Sequence, residues 1–493
     1  MSKFLKFLTI IITIFLCFYG GKANNLEIGI PLVVERNTSE QYVKVQFDIS
    51  WENSWRTSEE PNNYDGIWLF VKYKKVSDGN WYHATLNTEN NSTGSQGTAA
   101  TLQVRSDSVG AMFYRSADGT GTFSSTNVKL CWNYGNDGLA DNINELVSEY
   151  KVFGIEMVYV PEGAFYIGHG GGYMNNVFFT YGENNSYQVT SENAINVGQT
   201  NGYLYYSNDY GEPGDQQGPI KTSFPKGYSS FWCMKYEITQ EQYSDFLNTL
   251  TPSQQVNRFP NAFNFCRHYI KLVNGIYGCD GNNNNILNEA DDGQNIACNN
   301  ISWADGTAYS DWAGMRPMTE LEFEKACRGT VLPVAEEYSW GNTEMVIASG
   351  LTAILTATEE TTPENANCAH YNGLEGPVRV GNFARATSTR LSSGASYYGI
   401  MELSGNLRER IVTVGNVSGR AFTGILGDGT LDTSGNANVS QWPDASAIGS
   451  GFRGGSWGWT YGDARVSGRP VAAGTDPDRF VERGFRCVMG VLP

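Results

Sequence analysis

The stretch Gly399-Ile400-Met401-Glu402-Leu403-Ser404-Gly405-Asn406 is the most informative segment of this 493-residue chain. It lies in a Gly-rich region, residues 330–493, that also contains Arg453-Gly454-Gly455-Ser456-Trp457. Glycine adopts backbone angles that other residues rarely reach, and it interrupts helices and strands. The sequence therefore predicts a C-terminal half dominated by loops, in a domain of the α+β class.

Upstream of this region, capping residues and apolar spacing predict three short helices. Thr239 with Gln242, and Thr319 with Glu322, each have the spacing of a capping box. Between them, apolar residues at helical spacing cover residues 303–312. Because these helices are short, strands and loops should make up most of residues 151–493.

Residues 24–150 have a different pattern. Runs such as Tyr42-Val43-Lys44-Val45-Gln46-Phe47-Asp48-Ile49 alternate apolar and polar positions, and turn clusters such as Glu60-Pro61-Asn62-Asn63 separate them. This alternation indicates half-buried strands. The sequence predicts a β-sandwich over residues 24–150, followed by a second domain over residues 151–493.

The N-terminus has the features of a secretory signal over residues 1–23. Lys3 and Lys6 precede an apolar run at residues 7–18, and small residues around Ala23 suit cleavage there. The run is shorter than the ~20 residues that a membrane-spanning helix needs, and no later segment comes close. A lipid anchor on Cys17 is the alternative. Either way, we expect an exported protein, in the periplasm, on the cell surface or secreted.

The chain is acidic, with 34 Lys and Arg residues against 51 Asp and Glu residues and a net charge of −17. Such a surface repels nucleic acid and anionic lipid, and no basic stripe interrupts it. Divalent cations are the partners that this charge favours.

Eight segments, in order, resemble the formylglycine-generating enzyme family, also called the sulfatase-modifying factor family, over roughly residues 155–493. The resemblance implies a variant of the C-type-lectin-like fold. The segments are Met157-Val158-Tyr159-Val160-Pro161-Glu162-Gly163, Lys235-Tyr236-Glu237-Ile238-Thr239, Ile301-Ser302-Trp303-Ala304-Asp305, Arg316-Pro317-Met318-Thr319-Glu320-Leu321-Glu322, Trp340-Gly341-Asn342, the 399–406 stretch, the 453–457 stretch, and Arg483-Gly484-Phe485-Arg486-Cys487.

The resemblance also implies what the catalytic members need. Those members oxidise a substrate cysteine with O₂ and a copper(I) ion that two cysteines hold just after the Gly-Gly-Ser segment. Here Gly454-Gly455-Ser456-Trp457-Gly458-Trp459-Thr460-Tyr461-Gly462-Asp463-Ala464-Arg465 contains no cysteine, and Leu407-Arg408-Glu409-Arg410 stands where the family has a Trp-Glu-Trp pair of rings. Copper is therefore not expected, and the four histidines form no iron motif.

A binding role is the resulting hypothesis, with a protein or glycan as the ligand. The resemblance implies that ligands contact the segment after Gly-Gly-Ser-Trp, and aromatic and arginine side chains dominate binding hot spots. The alternative is a core position for the tryptophan and ion pairs for the arginines. Two other functions stay open, an oxidase or related modifying enzyme and a surface-assembly component. The candidate ligand-binding residues are Trp457, Trp459, Tyr461, Arg465 and Arg469.

A first calcium site is predicted from spacing alone. Asp280, Asn282, Asn284, the Ile286 carbonyl and Asp291 fall at loop positions 1, 3, 5, 7 and 12 of an EF-hand. The alternative is a polar, Asn-rich surface insertion.

A second calcium site is implied by the resemblance. The positions that bind calcium in the family fall on Glu402, Gly405, Leu407 and Glu409. The alternative is a strand end in which a glutamate pairs with Arg408 or Arg410.

Eight cysteines remain once the predicted signal is removed, and an even number in an exported chain permits disulfides. The resemblance implies a bond between Cys327 and Cys487. A second predicted pair, Cys279 with Cys298, brackets the first calcium loop, and Cys266 and Cys368 are possible rivals for either bond.

Overall fold

The computed structural model describes residues 25–171, 174–371, 373–385, 387–458 and 461–490. The predicted signal at residues 1–23, Cys17 included, lies outside these ranges. Among the described residues, no helix is long and apolar enough to span a membrane.

Strands far outnumber helices, so the prediction of a strand-rich chain with few helices is confirmed. The strands are β1 Glu27–Ile28, β2 Leu32–Asn37, β3 Tyr42–Arg56, β4 Asp65–Lys75, β5 Trp81–His83, β6 Gln96–Gly97, β7 Ala100–Val104, β8 Ala111–Arg115, β9 Gly119–Trp132, β10 Val147–Val160, β11 Phe165–Ile167, β12 Phe179–Thr180, β13 Tyr187–Val189, β14 Leu204–Tyr205, β15 Phe231–Met234, β16 Ile270–Val273, β17 Ile276–Cys279, β18 Arg316–Pro317, β19 Gly350–Thr352, β20 Glu360–Thr362, β21 Glu409–Val412, β22 Ser450–Arg453 and β23 Cys487–Gly490. The α-helices are α1 Ile143–Leu146, α2 Gln240–Asn248, α3 Pro252–Arg258, α4 Trp303–Trp312 and α5 Glu320–Arg328.

The three predicted helices correspond to α2, α4 and α5, and side chains cap each of them. Thr239 and Gln242 close a capping box at the start of α2, and Thr319 and Glu322 close another at the start of α5. These caps satisfy amide groups that the first helical turn leaves without partners.

Two sheets share the N-terminal core. β1, β2, β3, β9 and β6 form a five-stranded sheet, and an eight-stranded sheet has the order β18-β23-β15-β10-β4-β8-β7, with β5 against β4. Apolar residues of β3, such as Val45 and Phe47, and of β4, such as Leu69 and Val71, belong to one buried cluster. The two sheets therefore face each other across these residues.

The eight-stranded sheet continues into the second half of the chain through β10. This strand pairs with β4 along Val147–Val158 and with β15 along Met157–Val160, so one strand crosses the predicted boundary at residue 150. One face of the sheet packs on a cluster that includes residues of α2 and α4. The other face packs on α5, through Phe323 and Cys327.

Candidate functional site

A cavity of about 160 Å³ lies between the loop at residues 174–177, Tyr210 and the segment at residues 463–470. We call it the Arg469 cavity. It lies beside the segment that follows Gly-Gly-Ser-Trp, and Arg465 and Arg469 both line it. The fold thus brings two of the five predicted ligand-binding residues to one cavity.

Arg469 is completely buried and is held by α5. Its Nε donates to Glu320 Oε1 over 2.5 Å, and its Nη2 donates to the Pro213 carbonyl over 3.1 Å. The guanidinium carbon lies 4.0 Å from the ring centroid of Phe178 and 4.1 Å from that of Tyr206. Its Nη1 is buried and makes no hydrogen bond within the protein.

Glu320 stays ionised in this interior. Burial alone would raise the pKa of its carboxyl group, but Arg469 and Arg453 together hold that pKa below the ordinary value. Arg453 Nη1 donates to Glu320 Oε1 over 2.8 Å, and its Nη2 donates to Glu324 Oε1 over 2.7 Å. Because Glu320 and Glu324 are one turn apart on α5, the helix holds both arginines in place.

Asn176 also lines the cavity and is 1% exposed. Its backbone amide donates to Ser207 Oγ over 3.0 Å, and its Nδ2 donates to the Tyr210 carbonyl over 2.9 Å. The Arg469 amide donates to the Asn176 carbonyl over 3.0 Å, so these two lining residues are in direct contact. The side-chain oxygen of Asn176 is buried without a hydrogen-bond partner.

Two ion pairs border the cavity. Arg465 Nη2 lies 3.3 Å from Glu336 Oε2, while the Nε of Arg465 is buried without a partner. Asp463 Oδ2 accepts from Arg408 Nη2 over 2.7 Å, although burial raises the pKa of this aspartate. The charges that border the cavity are therefore paired.

The other predicted ligand-binding residues have different positions. Trp457 is half-buried, and its Nε1 donates to the Val481 carbonyl over 3.1 Å. Trp459 lies outside the described residues, as does the side chain of Tyr461, which begins the 3-10 turn Tyr461–Ala464. Arg469 is buried and its charge is paired with Glu320, as the ion-pair alternative for the arginines expects, and ligand binding by Arg469 stays a prediction.

Sequence reasoning missed Asn176 and Tyr210. Both lie in loops far from the Gly-Gly-Ser-Trp motif, and Asn176 is 293 residues before Arg469. No local pattern distinguishes them from other Asn and Tyr residues of the same loops. Only their place in the lining of the Arg469 cavity identifies them.

The calcium site implied by the resemblance has suitable donors. Glu402 Oε2 and Glu409 Oε2 are buried without hydrogen-bond partners, and the Glu402 and Glu237 carboxyl groups lie close enough to influence each other. Burial raises the pKa of Glu402 to about 7. Arg486 donates to Glu409 Oε1 over 2.7 Å, so Arg486 and not Arg408 or Arg410 is the arginine in this contact. Carboxylate oxygens without partners suit calcium, so the residues fit the ion.

Side-chain oxygen atoms of the loop at residues 280–291 accept hydrogen bonds from other groups of the protein. Lys271 Nζ lies 2.8 Å from Asp280 Oδ2, and the Asn284 amide donates to Asp280 Oδ1 over 2.9 Å. Asn282 Nδ2 donates to Asp291 Oδ1 over 3.0 Å. Across the described ranges, no three His, Cys, Asp or Glu residues are grouped as a metal site would need. Calcium binding by this loop stays a prediction.

Neither predicted disulfide is formed, and all eight cysteines of the described residues are free. Cys487 and Val488 are neighbours in β23, so their side chains point to opposite faces of the sheet. Cys327 packs in the cluster of Val488, whereas Cys487 packs in the cluster on the other face, with its Sγ 3.2 Å from Ser310 Oγ. The sheet itself therefore separates Cys327 from Cys487.

Cys279 and Cys298 belong to the same cluster but are also separate thiols. Burial raises the pKa of both thiols well above the ordinary value, which keeps them protonated and unreactive. The predicted disulfide between Cys279 and Cys298 is therefore absent from the structure.

A second cavity, of about 200 Å³, lies where β1 and β10 meet α2 and α4. Aromatic side chains such as Phe153 and Trp312 line it, together with carboxylates such as Glu241 and Asp245. None of the predicted site residues lies there. We therefore base the functional argument on the smaller Arg469 cavity, which two predicted ligand-binding residues line.

Comparison with known proteins agrees with the resemblance. Residues 144–491 match the family described as "Sulfatase-modifying factor enzyme 1-like domain". A relative named formylglycine-generating enzyme, from Thermomonospora curvata, is 28% identical over 148 residues, which cover 26% of this chain and 46% of the relative. The chain thus matches less than half of that protein's length. Because the family match covers well over half of the present chain, the chain belongs to the sulfatase-modifying factor enzyme 1-like domain family.

Proposed function

We propose that this protein is an exported binding module, in which a sulfatase-modifying-factor-like domain holds a ligand and does not oxidise a cysteine. We assign the fold to the α+β class, with residues 24–150 as a β-sandwich that precedes this domain. The observation that carries the proposal concerns the segment after Gly-Gly-Ser-Trp. It lacks cysteine, and two of its arginines, Arg465 and Arg469, line a cavity.

The thiols of two buried cysteines support the proposal that copper is not bound. Copper(I) requires soft thiolate ligands. Burial raises the pKa of the Cys131 thiol to about 11 and that of the Cys487 thiol to about 12, so both remain protonated near neutral pH. The segment that replaces the Trp-Glu-Trp rings serves structural contacts instead. There, Arg410 donates to the carbonyls of Asp476 and Asp478.

Calcium fits this function as a structural ion. Glu402 and Glu409, with the carbonyls of Gly405 and Leu407, would hold it next to Asn406, whose carbonyl accepts a hydrogen bond from the Trp457 amide over 2.9 Å. The ion would thereby stabilise the start of the binding segment.

The second candidate function is the oxidase, or a related modifying enzyme. The similarity to the Thermomonospora curvata protein named formylglycine-generating enzyme favours it. A surface-assembly role remains compatible with the binding proposal, since a component of that kind also works by binding.

Copper titration of the folded protein, with oxygen uptake on a peptide that carries a sulfatase motif, tests the proposal. We expect no stoichiometric copper(I) binding and no oxygen consumption. The Thermomonospora curvata enzyme, assayed in parallel, is the positive control. Stoichiometric copper binding with turnover would establish the oxidase and refute the binding module.

A further inference from the structure

We infer that the side chains of Lys235 and Asp65 join in an amide bond, which links the N-terminal sheets covalently to the sulfatase-modifying-factor-like half. The inference concerns a covalent modification and does not depend on the proposed binding function. It follows from the place of the two residues in the sheet, their burial and the hydrogen bonds that hold the carboxyl group.

Asp65 and Lys235 meet on one face of the eight-stranded sheet. Asp65 begins β4 and pairs with Val158 of β10, and Val158 pairs on its other side with Cys233 of β15. Lys235 comes two residues after Cys233, so its side chain returns to the face that Cys233 shares with Asp65. Its Nζ lies 3.8 Å from Asp65 Oδ2. The amine and the carboxyl group thus come together across β10, although they belong to different halves of the chain.

Both members of this pair are buried. Their side chains are 6% and 3% exposed, whereas the lysine of the Lys271–Asp280 pair is 23% exposed. Burial penalises a charged pair, so transfer of a proton from the ammonium group to the carboxylate costs less here than in water. Burial also raises the pKa of the Asp65 carboxyl group, although Lys235 and hydrogen bonds to the carboxylate oppose the shift. The pair can therefore reach the neutral amine and acid that the reaction requires.

Hydrogen bonds hold the carboxyl group for attack by the amine. Asp65 Oδ1 accepts from Ser54 Oγ over 2.9 Å and from the Trp55 amide over 3.0 Å. Asp65 Oδ2 accepts from Trp51 Nε1 over 3.0 Å. The Trp55 ring, whose centroid is 4.6 Å from Lys235 Nζ, lies beside the amine. The two donors to Oδ1 stabilise the negative charge that this oxygen gains when the nitrogen attacks, so Oδ2 is the oxygen that leaves.

The reaction releases one water molecule and needs no other reactant. A bond forms between Lys235 Nζ and Asp65 Cγ, and the bond between Cγ and Oδ2 breaks. Of the three ammonium hydrogens, one stays on the amide nitrogen and two leave with Oδ2 as water. The charges of the ammonium group and the carboxylate cancel in the same step.

Glu156 is placed to carry a proton from the nitrogen to the leaving oxygen. The Lys235 amide donates to the Glu156 carbonyl over 2.9 Å, which continues the antiparallel pairing of β10 with β15 by one residue. Opposite residues of antiparallel strands have their side chains on the same face of the sheet. We therefore assign the proton transfer to the Glu156 carboxyl group.

Intact mass spectrometry of the unfolded full chain tests the inference. We expect most molecules to be lighter than their sequence by one water, and a protease digest to contain a branched peptide that carries both Asp65 and Lys235. K235R should remove the difference, because a guanidinium keeps the charge but is not a nucleophilic amine. K271R is the matched control and should keep the difference. Lys271 Nζ lies closer to its carboxylate, 2.8 Å from Asp280 Oδ2, but the pair is more exposed.

Labelling with an amine-specific acylating reagent in denaturant gives a second measurement that does not depend on how a variant folds. In the parent, the reagent should modify the other lysines and leave Lys235 unmodified. E156Q keeps both reacting groups but should form the bond more slowly, so labelled Lys235 should appear.

Three results would refute the bond. They are a parent chain at its full sequence mass with labelled Lys235, a loss of water that persists in K235R, and a loss of water that maps to other residues. Bond formation in E156Q as fast as in the parent would refute the role of Glu156.

Discussion

Arg469 lies between the rings of Phe178 and Tyr206, with its charge paired to Glu320, 149 residues earlier in the chain. In the sequence, an arginine that follows a tryptophan-rich motif suggests a binding surface. Its sequence neighbours give no sign of its partner, the carboxylate of Glu320. The third guanidinium nitrogen, Nη1, is buried without a hydrogen-bond partner. Arg469 thus joins α5 and the Pro213 loop through two of its nitrogens.

Lys72 is a second buried cation, in β4. Its Nζ donates to the Gly429 carbonyl over 2.9 Å and lies 3.1 Å from His83 Nδ1. Burial lowers the pKa of this ammonium group to about 7, although the carboxylates Asp311 and Asp428 oppose the shift. Near neutral pH, the folded protein therefore holds this lysine close to its titration midpoint.

We expect the stability of the protein relative to K72M to rise between pH 7 and pH 10. In the unfolded chain this lysine titrates near ~10.4. Below pH 7 it is charged in both states, so the full cost of burying the charge lowers the stability. Above about pH 10 it is neutral in both states, and that cost disappears. At roughly 1.4 kcal/mol per pKa unit, the change is at most about 5 kcal/mol. Urea unfolding of both proteins at several pH values measures it. Parallel stability curves would contradict the lowered pKa.

Calcium should raise the melting temperature, and E402Q should lose most of that increase. Glu402 Oε2 is buried without a partner, whereas its Oε1 accepts from the Gly381 amide over 2.8 Å, a contact that glutamine can keep. A ligand at ~100 times its dissociation constant stabilises the native state by about 2.7 kcal/mol. Thermal melts with chelator and with millimolar calcium measure the shift. D280N, in the other predicted loop, is the comparison, and an equal shift in E402Q and the parent would exclude Glu402 as a ligand.

At the scale of elements, β4 and α4 show how tightly the halves of the chain pack. Along β4, Leu69 and Val71 enter the core between the sheets, while Trp68 and Phe70 enter the core against the helices. In α4, Gly306 packs directly against Phe485. A Cβ added at Gly306 would lie 1.8 Å from the Phe485 ring. Gly306 is therefore required by packing, although glycine weakens a helix.

G306A should destabilise the protein by about 1 to 3 kcal/mol, the usual effect of overpacking a core. Helix propensity alone would predict a stabilisation of up to about 1 kcal/mol, so the sign of the change separates the two effects. Chemical denaturation gives that sign. G490A is the matched control, because no atom lies within 4 Å of a Cβ added there. Stabilisation in G306A would show that Phe485 moves aside without cost.

At the scale of the whole molecule, β10 joins the N-terminal sheets to the sulfatase-modifying-factor-like half. Side chains reinforce this junction. Trp68 Nε1 donates to the Ala313 carbonyl over 2.7 Å, and Asn63 Nδ2 donates to the Tyr398 carbonyl over 2.7 Å. Both donors are buried, so separation of the two halves would leave them without partners.

We therefore expect the full chain to unfold in one cooperative transition. A cut at residue 151 would remove the first part of β10 and expose the clusters on both faces of the sheet. Differential scanning calorimetry measures the number of transitions, with near- and far-ultraviolet circular dichroism as independent probes. Two well-separated transitions, or a residue 151–493 fragment that melts at the temperature of the full chain, would show that the halves fold independently.

Local sequence determined much of this protein. The capping residues Thr239 and Thr319 predicted helix starts that the structure confirms, because a cap depends only on residues three positions apart. Alternation along residues 42–49 predicted strand β3, because one face of a strand is buried. The order of the eight segments predicted the family, which the match over residues 144–491 confirms.

Tertiary structure alone decided the rest. The pairing of β10 with β4, the separation of Cys327 from Cys487 by a sheet, and the meeting of Asn176 with Arg469 all depend on residues far apart in the chain. Spacing along a sequence defines which side chains share a helix or a strand face, but it carries no distance between separate elements. Which buried polar atoms find partners, and which residues line a cavity together, depends on those distances, so the Arg469 cavity exists only in the folded molecule.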